Sequence, residues 1–171
     1  GYVLDFKSGF KKHFHRELAL DEYWGAPDAR RTFSAGNNGE NAMSKQVVAC
    51  AHRGASGTHP ENTIPAFAAA VALGCEMVEF DIRATTDGAL VLLHDSAVDR
   101  TTDGSGQIWD LSLAEVRQLD ASASCEEYAG IQIPTLAEVL DFLPRAMELN
   151  IHVYPGPADG ASIVERVCRE I

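Results

Sequence analysis

Two carboxylates, Glu79 and Asp81, stand two residues apart inside the apolar run Met77-Val-Glu-Phe-Asp81. Side chains alternate faces along a strand, so Met77, Glu79 and Asp81 share one face while Val78, Phe80 and Ile82 share the other. Burying two carboxylates on one face is costly without a partner. They also repel each other unless a cation lies between them. Magnesium and calcium take such oxygen ligands. The plain alternative is a strand with one solvated face, but helices between the strands would cover the outer face and leave the carboxylates inside.

Other predicted strands repeat the arrangement, with apolar residues leading and ionisable ones following. VVACAH (47–52) runs into His52-Arg53-Gly54, and ALVLLHD ends in His94-Asp95. NIHVY carries Asn150, His152 and Tyr154 on one face. Two histidines can divide the proton work of a hydrolysis, because imidazole titrates near neutral pH. Arg53 offers a planar fork suited to phosphate oxygens. A metal at Glu79 and Asp81 would neutralise charge developing on a phosphoryl group. The set points to phosphoryl transfer. No glycine-rich nucleotide loop or G-x-S-x-G elbow is present to suggest nucleotide or acyl chemistry.

The elements that must hold these residues read as strand, helix, strand from Val47 onward. Asn62 or Thr63 caps a helix with Pro65 in its first turn and Gly74 at its end. Strands at 76–82 and 89–94 flank a Thr86-Asp87-Gly88 turn. Helices follow at about 112–119 and from Pro134 to Leu143, then a strand at 150–154 and a helix at 162–170. Strands alternating with helices argue for βα units and a parallel sheet. Active sites of βα barrels sit at the carboxyl ends of their strands. A complete (β/α)8 TIM barrel takes about 250 residues. Four strands after residue 46 therefore make roughly its first half, with a domain over 47–171 that is truncated at its C-terminus.

Residues 1–46 read as a separate extension of no assigned role. Phe6, Phe10, Phe14 and Leu18 recur at helical spacing, the KKHFHR cluster reads as a solvated helix face, and 34–41 reads as a linker. The 171 residues carry 14 basic against 25 acidic side chains, a formal net charge of −11. Such a chain is a poor partner for nucleic acid, so a phosphate-bearing substrate needs a local cationic site. Cys50, Cys75, Cys125 and Cys168 are widely spaced and read as buried free thiols. His59 reads as exposed in a loop. No run reaches the roughly 20 apolar residues of a membrane span. With no leader visible the expected location is cytoplasmic, or secreted or periplasmic if a leader precedes Gly1.

Taken in order, His52-Arg53-Gly54, Pro60-Glu61-Asn62-Thr63, Glu79-Phe-Asp81-Ile-Arg83, Asp87-Gly88 and His94-Asp95 resemble the glycerophosphodiester phosphodiesterases. Asp99-Arg-Thr-Thr102, the Gly104/Gly106 loop and Ile133-Pro134-Thr135-Leu136 are similar to that family too. The resemblance covers about 47–154. It implies a βα barrel and metal-dependent hydrolysis of glycerophosphodiesters to glycerol 3-phosphate and an alcohol. By similarity His52 and His94 are the acid/base pair, Arg53 a phosphate ligand, and Glu79 and Asp81 metal ligands. Glu61 is expected to orient His52 or Arg53 from behind. Asn62 and Thr63 are expected to do no more than cap a helix. Asp95 is read as a turn residue, the alternative being that it orients a histidine.

One motif departs from the family. Its members commonly read N-I-E-I-K where this chain has Asn150-Ile-His152-Val-Tyr154. His152 then replaces a carboxylate as third metal ligand, and Tyr154 replaces a lysine facing the phosphate. The resemblance implies one divalent ion (magnesium, calcium or manganese), and histidine shifts the preference toward manganese or zinc. The alternatives are a phospholipid-directed barrel, sphingomyelinase D-like or lysophospholipase D-like, and a phosphodiester-binding pseudoenzyme.

Overall fold

The computed structural model describes residues 2–6 and 48–171. Its sheet contains β1 (Tyr2–Phe6), β2 (Cys50–His52), β3 (Met77–Ala84), β4 (Leu90–Leu92) and β5 (Glu148–Val153). The helices are α1 (Ile64–Ala72), α2 (Leu113–Val116), α3 (Leu136–Phe142) and α4 (Ser162–Glu170). The strands lie side by side as β1-β5-β3-β2, with β4 pairing β3. β2, β3 and β5 are parallel neighbours. Helices cover one face of this sheet, and polar side chains line the other. This is part of a (β/α)8 barrel.

The register sets the site. His52 lies opposite Glu79, Glu79 opposite Asn150, and Asp81 opposite His152. Residues opposite one another point to the same face, so the three strands bring their polar residues together. The reverse face is apolar: Val78, Phe80, Ile82, Leu149, Ile151 and Val153 pack with Phe67, Leu136, Val139, Ile163 and Val167 in one core. Phe67 and Phe80 are fully buried and meet edge to face at 5.9 Å. Each such side chain contributes about 1.5–3 kcal/mol by leaving water.

Local signals fix the helices. Pro65 sits in the first turn of α1, where its missing N–H costs nothing, and Gly74 follows with φ +76°, the conformation that ends helices at glycine. Both α2 and α3 start with a capping box, Ser112 with Glu115 and Thr135 with Glu138.

Several expectations need correcting. Four strands were expected to build the barrel, but β4 runs antiparallel to β3. Among the described residues three strands, not four, are barrel strands. Thr86-Asp87-Gly88 closes a hairpin, and an apolar run of this length does not reveal which way it pairs. The hairpin carries His94 back down to the level of Asp81, whose carbonyl accepts from the Leu93 N–H at 3.1 Å. Beyond it the chain builds a second core of Val91, Leu93, Val98, Ile108, Val116, Ala121 and Ile133. Phe6 ends a strand rather than sitting in a helix, because β1 pairs antiparallel with the outer edge of β5. The helical spacing through Phe10, Phe14 and Leu18, the KKHFHR cluster and the linker at 34–41 lie outside the described residues. Cys50, Cys125 and Cys168 are exposed and Cys75 is half-buried, so none is the buried thiol that was expected; Cys125 lies in a loop, and Cys75 packs only partly against the main core from the turn after α1. His59 is half-buried, stacked at 5.3 Å on Tyr128. No helix among the described residues is long and apolar enough to cross a membrane.

Candidate active site

Glu79 and Asp81 are 3% and 0% exposed, the buried carboxylate pair that the alternation of β3 demanded. One oxygen of each is held by the protein. Glu79 Oε2 accepts from the Arg53 backbone N–H at 2.9 Å, and Asp81 Oδ2 accepts from Asn62 Nδ2 at 2.9 Å. The other oxygen of each, Glu79 Oε1 and Asp81 Oδ1, is buried with no hydrogen-bond partner among the described residues. Both face His152, whose Nδ1 lies 3.2 Å from Glu79 Oε1 and 3.9 Å from Asp81 Oδ1. Ligand atoms of all three residues fall within 4.8 Å of one another.

Orphaned buried oxygens are expensive, and a divalent cation removes that cost. Two atoms bound to one small divalent ion at about 2.1 Å sit roughly 3.0–3.4 Å apart, and the Glu79–His152 spacing matches. These residues fit a metal ion: two hard oxygens and an imidazole nitrogen suit magnesium, manganese or zinc. Burial, and then the charge of Asp81, push the Glu79 carboxyl above its ordinary range. Two buried carboxylates this close disfavour each other's charged form, and an opposite charge between them favours it.

Around this triad stand the other residues singled out from the sequence. His52 is exposed, with Nε2 3.8 Å from Glu79 Oε2. Arg53 adopts φ +57°, a left-handed turn that swings its side chain back over β3. There Nε lies 3.3 Å from Asp81 Oδ2, close enough for charge attraction but not aligned as a hydrogen bond. Its Nη1 donates to Glu61 Oε1 at 3.0 Å, so Glu61 meets Arg53 rather than His52. Gly54 permits the turn: a Cβ there would lie 2.7 Å from Ala66. His94 meets Tyr154 edge to face at 5.7 Å, and Tyr154 in turn meets His152 at 6.4 Å. Burial raises the Tyr154 hydroxyl, with Asp81 and Glu79 adding to the effect, so it remains a neutral donor. All eight residues chosen from the sequence thus fall in one connected cluster.

Four others belong to it, of which only Asp95 had been weighed from the sequence for a place in the site, as a residue that orients a histidine. Asn62 is no helix cap: at φ +58° it turns inward, donates to Asp81 and accepts from the Asp81 N–H at 3.3 Å. Asp95 is more than a turn residue, since its Oδ1 holds His94 Nδ1 at 2.7 Å. Arg83 donates through Nε and Nη2 to the His94 carbonyl at 2.9 and 2.6 Å while its guanidinium lies 4.9 Å from the Tyr154 ring centre. Arg100 spans Glu61 and Asp95. Alternation could have found Arg83, which shares the face of Glu79 and Asp81, and Asp95 adjoins the histidine it holds; Asn62 and Arg100 depend on contacts between residues far apart in sequence.

The family model for the glycerophosphoryl diester phosphodiesterase family matches residues 52–170. A glycerophosphodiester phosphodiesterase of Caldanaerobacter subterraneus is 41% identical over 128 residues, covering 74% of this chain and 53% of that protein. One from Bacillus subtilis is 38% identical over 137 residues, covering 72% and 47%. This chain therefore spans about half the length of the curated relatives it matches. Among solved structures, an Oleispira antarctica phosphodiesterase in complex with the product sn-glycerol-3-phosphate superposes with a TM-score of 0.66 at 37% identity, over 72% of this chain and 52% of that one. A glycerophosphodiester phosphodiesterase of Agrobacterium tumefaciens gives 0.64 at 32% identity, over 72% and 54%. The matched span takes in every residue of the cluster from His52 to Tyr154, and on that ground the chain belongs to the glycerophosphoryl diester phosphodiesterase family.

Proposed function

We propose that the protein hydrolyses glycerophosphodiesters to glycerol 3-phosphate and an alcohol, using a divalent metal held by Glu79, Asp81 and His152. The convergence of two orphaned carboxylate oxygens on the His152 ring nitrogen carries this reading. Family membership and the product bound in the Oleispira relative support it.

A bound cation would supply Lewis-acid stabilisation of the phosphoryl oxygens as charge builds on them. The chain's own residues do the rest. Arg53 and the Tyr154 hydroxyl bind phosphate oxygens, Arg53 with a guanidinium already braced by Glu61. His52 and His94 divide the proton work: one accepts the proton of the attacking hydroxyl, the other protonates the departing alcohol. Asp95 Oδ1 accepts a hydrogen bond from the His94 Nδ1–H, which leaves Nε2 as the nitrogen that exchanges a proton with substrate. His52 stands beside the metal ligands, with Nε2 3.8 Å from Glu79 Oε2.

The test is release of glycerol 3-phosphate from glycerophosphocholine by the full-length protein, followed by coupled oxidation. Manganese, magnesium or zinc should support turnover and a chelator should stop it. No release with any of these ions at high enzyme concentration would refute the proposal.

A further inference from the structure

We infer that Arg100 is a positioning residue: its guanidinium clamps Asp95 to Glu61 and thereby holds the His94 ring and the Arg53 fork toward one phosphodiester. Arg100 Nη1 and Nη2 donate to the two oxygens of Glu61, each at 2.8 Å. Nε donates to Asp95 Oδ2 at 2.6 Å, and Nη2 is shared with Asp95 Oδ1 at 3.2 Å. Each carboxylate passes the constraint on. Glu61 Oε1 accepts from Arg53 Nη1 at 3.0 Å, and Asp95 Oδ1 holds His94 Nδ1 at 2.7 Å. One planar group thus spans two segments and braces Arg53 on one and His94 on the other, two of the four residues that the proposed reaction assigns to substrate.

The clamp's own seat is rigid. Val98, between Asp95 and Arg100, is fully buried in the second core, and the Val98 N–H donates to the Gly106 carbonyl at 3.0 Å. Thr102 Oγ1 donates back to the Val98 carbonyl at 2.8 Å. Arg100 itself is 47% exposed along its side chain, and exposed ion pairs add little to stability. Orientation is what this network supplies. With Arg100 in place the Asp95 carboxylate stays ionised and aimed at Nδ1, so the imidazole keeps its proton on Nδ1 and presents Nε2 to substrate. Without it Asp95 is free to turn to water. Lysine cannot substitute, because a point charge on a flexible stem does not span four carboxylate oxygens.

This inference rests on the proposed function for its catalytic consequence but not for its structural one, and the test separates the two. Arg100→Met and Arg100→Lys are made in the full-length protein. Long-range proton–nitrogen spectra of the histidine rings at about pH 8, above the ordinary imidazole range, report the His94 tautomer without any turnover. The wild-type protein should show the Nδ1–H form, and both variants a mixture. Turnover of glycerophosphocholine should fall about 10- to 100-fold in kcat, with Tm moving by no more than about 2 °C. Lysine should not rescue it. An unchanged tautomer in both variants, or a Tm loss beyond about 8 °C that accounts for the lost activity, would overturn the clamp. A shifted tautomer in a protein that turns over no diester would leave the clamp standing and sink the proposed function instead.

Discussion

Replacing Glu79 by glutamine should stabilise the metal-free protein and abolish its response to metal, two effects of opposite sign. Glu79 and Asp81 are both buried, with ligand oxygens within 4.8 Å, and at an effective dielectric of roughly 20 two unit charges at that distance repel by about 3 kcal/mol. Part of this is already offset. The Arg53 N–H donates to Glu79 Oε2, and a neutral amide oxygen keeps about half of such a bond. The net gain is about 1–2 kcal/mol, or roughly 3–6 °C in Tm for a domain of this size. Metal reverses the order. At 100 times its Kd the wild-type protein gains about 2.7 kcal/mol. A variant binding about 100-fold more weakly gains only about 0.4 kcal/mol. Thermal unfolding in chelator and then in manganese should therefore show the two melting curves exchanging places. A variant less stable than wild type in chelator would mean that the buried pair is not under repulsion. A variant that gains as much from metal as wild type would remove Glu79 from the metal site.

Two further outcomes follow from the surroundings of the triad. Asn62→Ala should cost about 2–4 kcal/mol in urea unfolding: it strips Asp81 of two hydrogen bonds and places alanine at φ +58°. Asn62→Gly, which relieves only the backbone, should recover about 1 kcal/mol of that; equal losses in both variants would show that the left-handed conformation carries no strain. Acid stability should also depend on Arg100. Its hydrogen bonds hold the Asp95 and Glu61 carboxyls below their ordinary values of 3.8 and 4.5. Groups depressed in the folded state stabilise it above the unfolded pKa and lose that contribution as pH falls through the folded one. Tm should thus drop below about pH 4.5 in the wild-type protein and drop less steeply in Arg100→Met; parallel curves would contradict the pairing.

How much of this was legible depended on whether a signal was local or tertiary. The period of two in β3 was enough to put Glu79 and Asp81 on one buried face, whereas alternation gave His152 only a shared face with Asn150 and Tyr154, and it was the resemblance to the family that implied its place at the metal. Pro65 and Gly74 marked the two ends of α1 for the same reason, since each acts within one turn of chain. The hairpin failed that test. Leu90–Leu92 is as apolar as a barrel strand, and only its pairing with the far end of β3 shows that it leads His94 back rather than opening another βα unit. Asn62 was misread because asparagine at a helix start is ordinarily a cap, and nothing in the sequence shows the φ that turns it inward. Arg100 lies 39 residues from Glu61, so the clamp exists only once the second core has placed the loop.

The departure at Asn150-Ile-His152-Val-Tyr154 looks less like damage once the charges are added. Relative to the family pattern, histidine for glutamate removes one negative charge and tyrosine for lysine removes one positive charge, so the site's total is unchanged. Either change alone would leave an imbalance beside Asp81, where burial makes charge expensive. The geometry agrees with the sum. His152 keeps a ligand nitrogen aimed at the two orphaned oxygens. Tyr154 fills the space between His94 and Arg83 with a ring that touches both. Arg83 keeps a positive charge beneath that ring, 4.9 Å from its centre. The two departures therefore leave both the charge total and the converged ligand atoms of the proposed metal site in place.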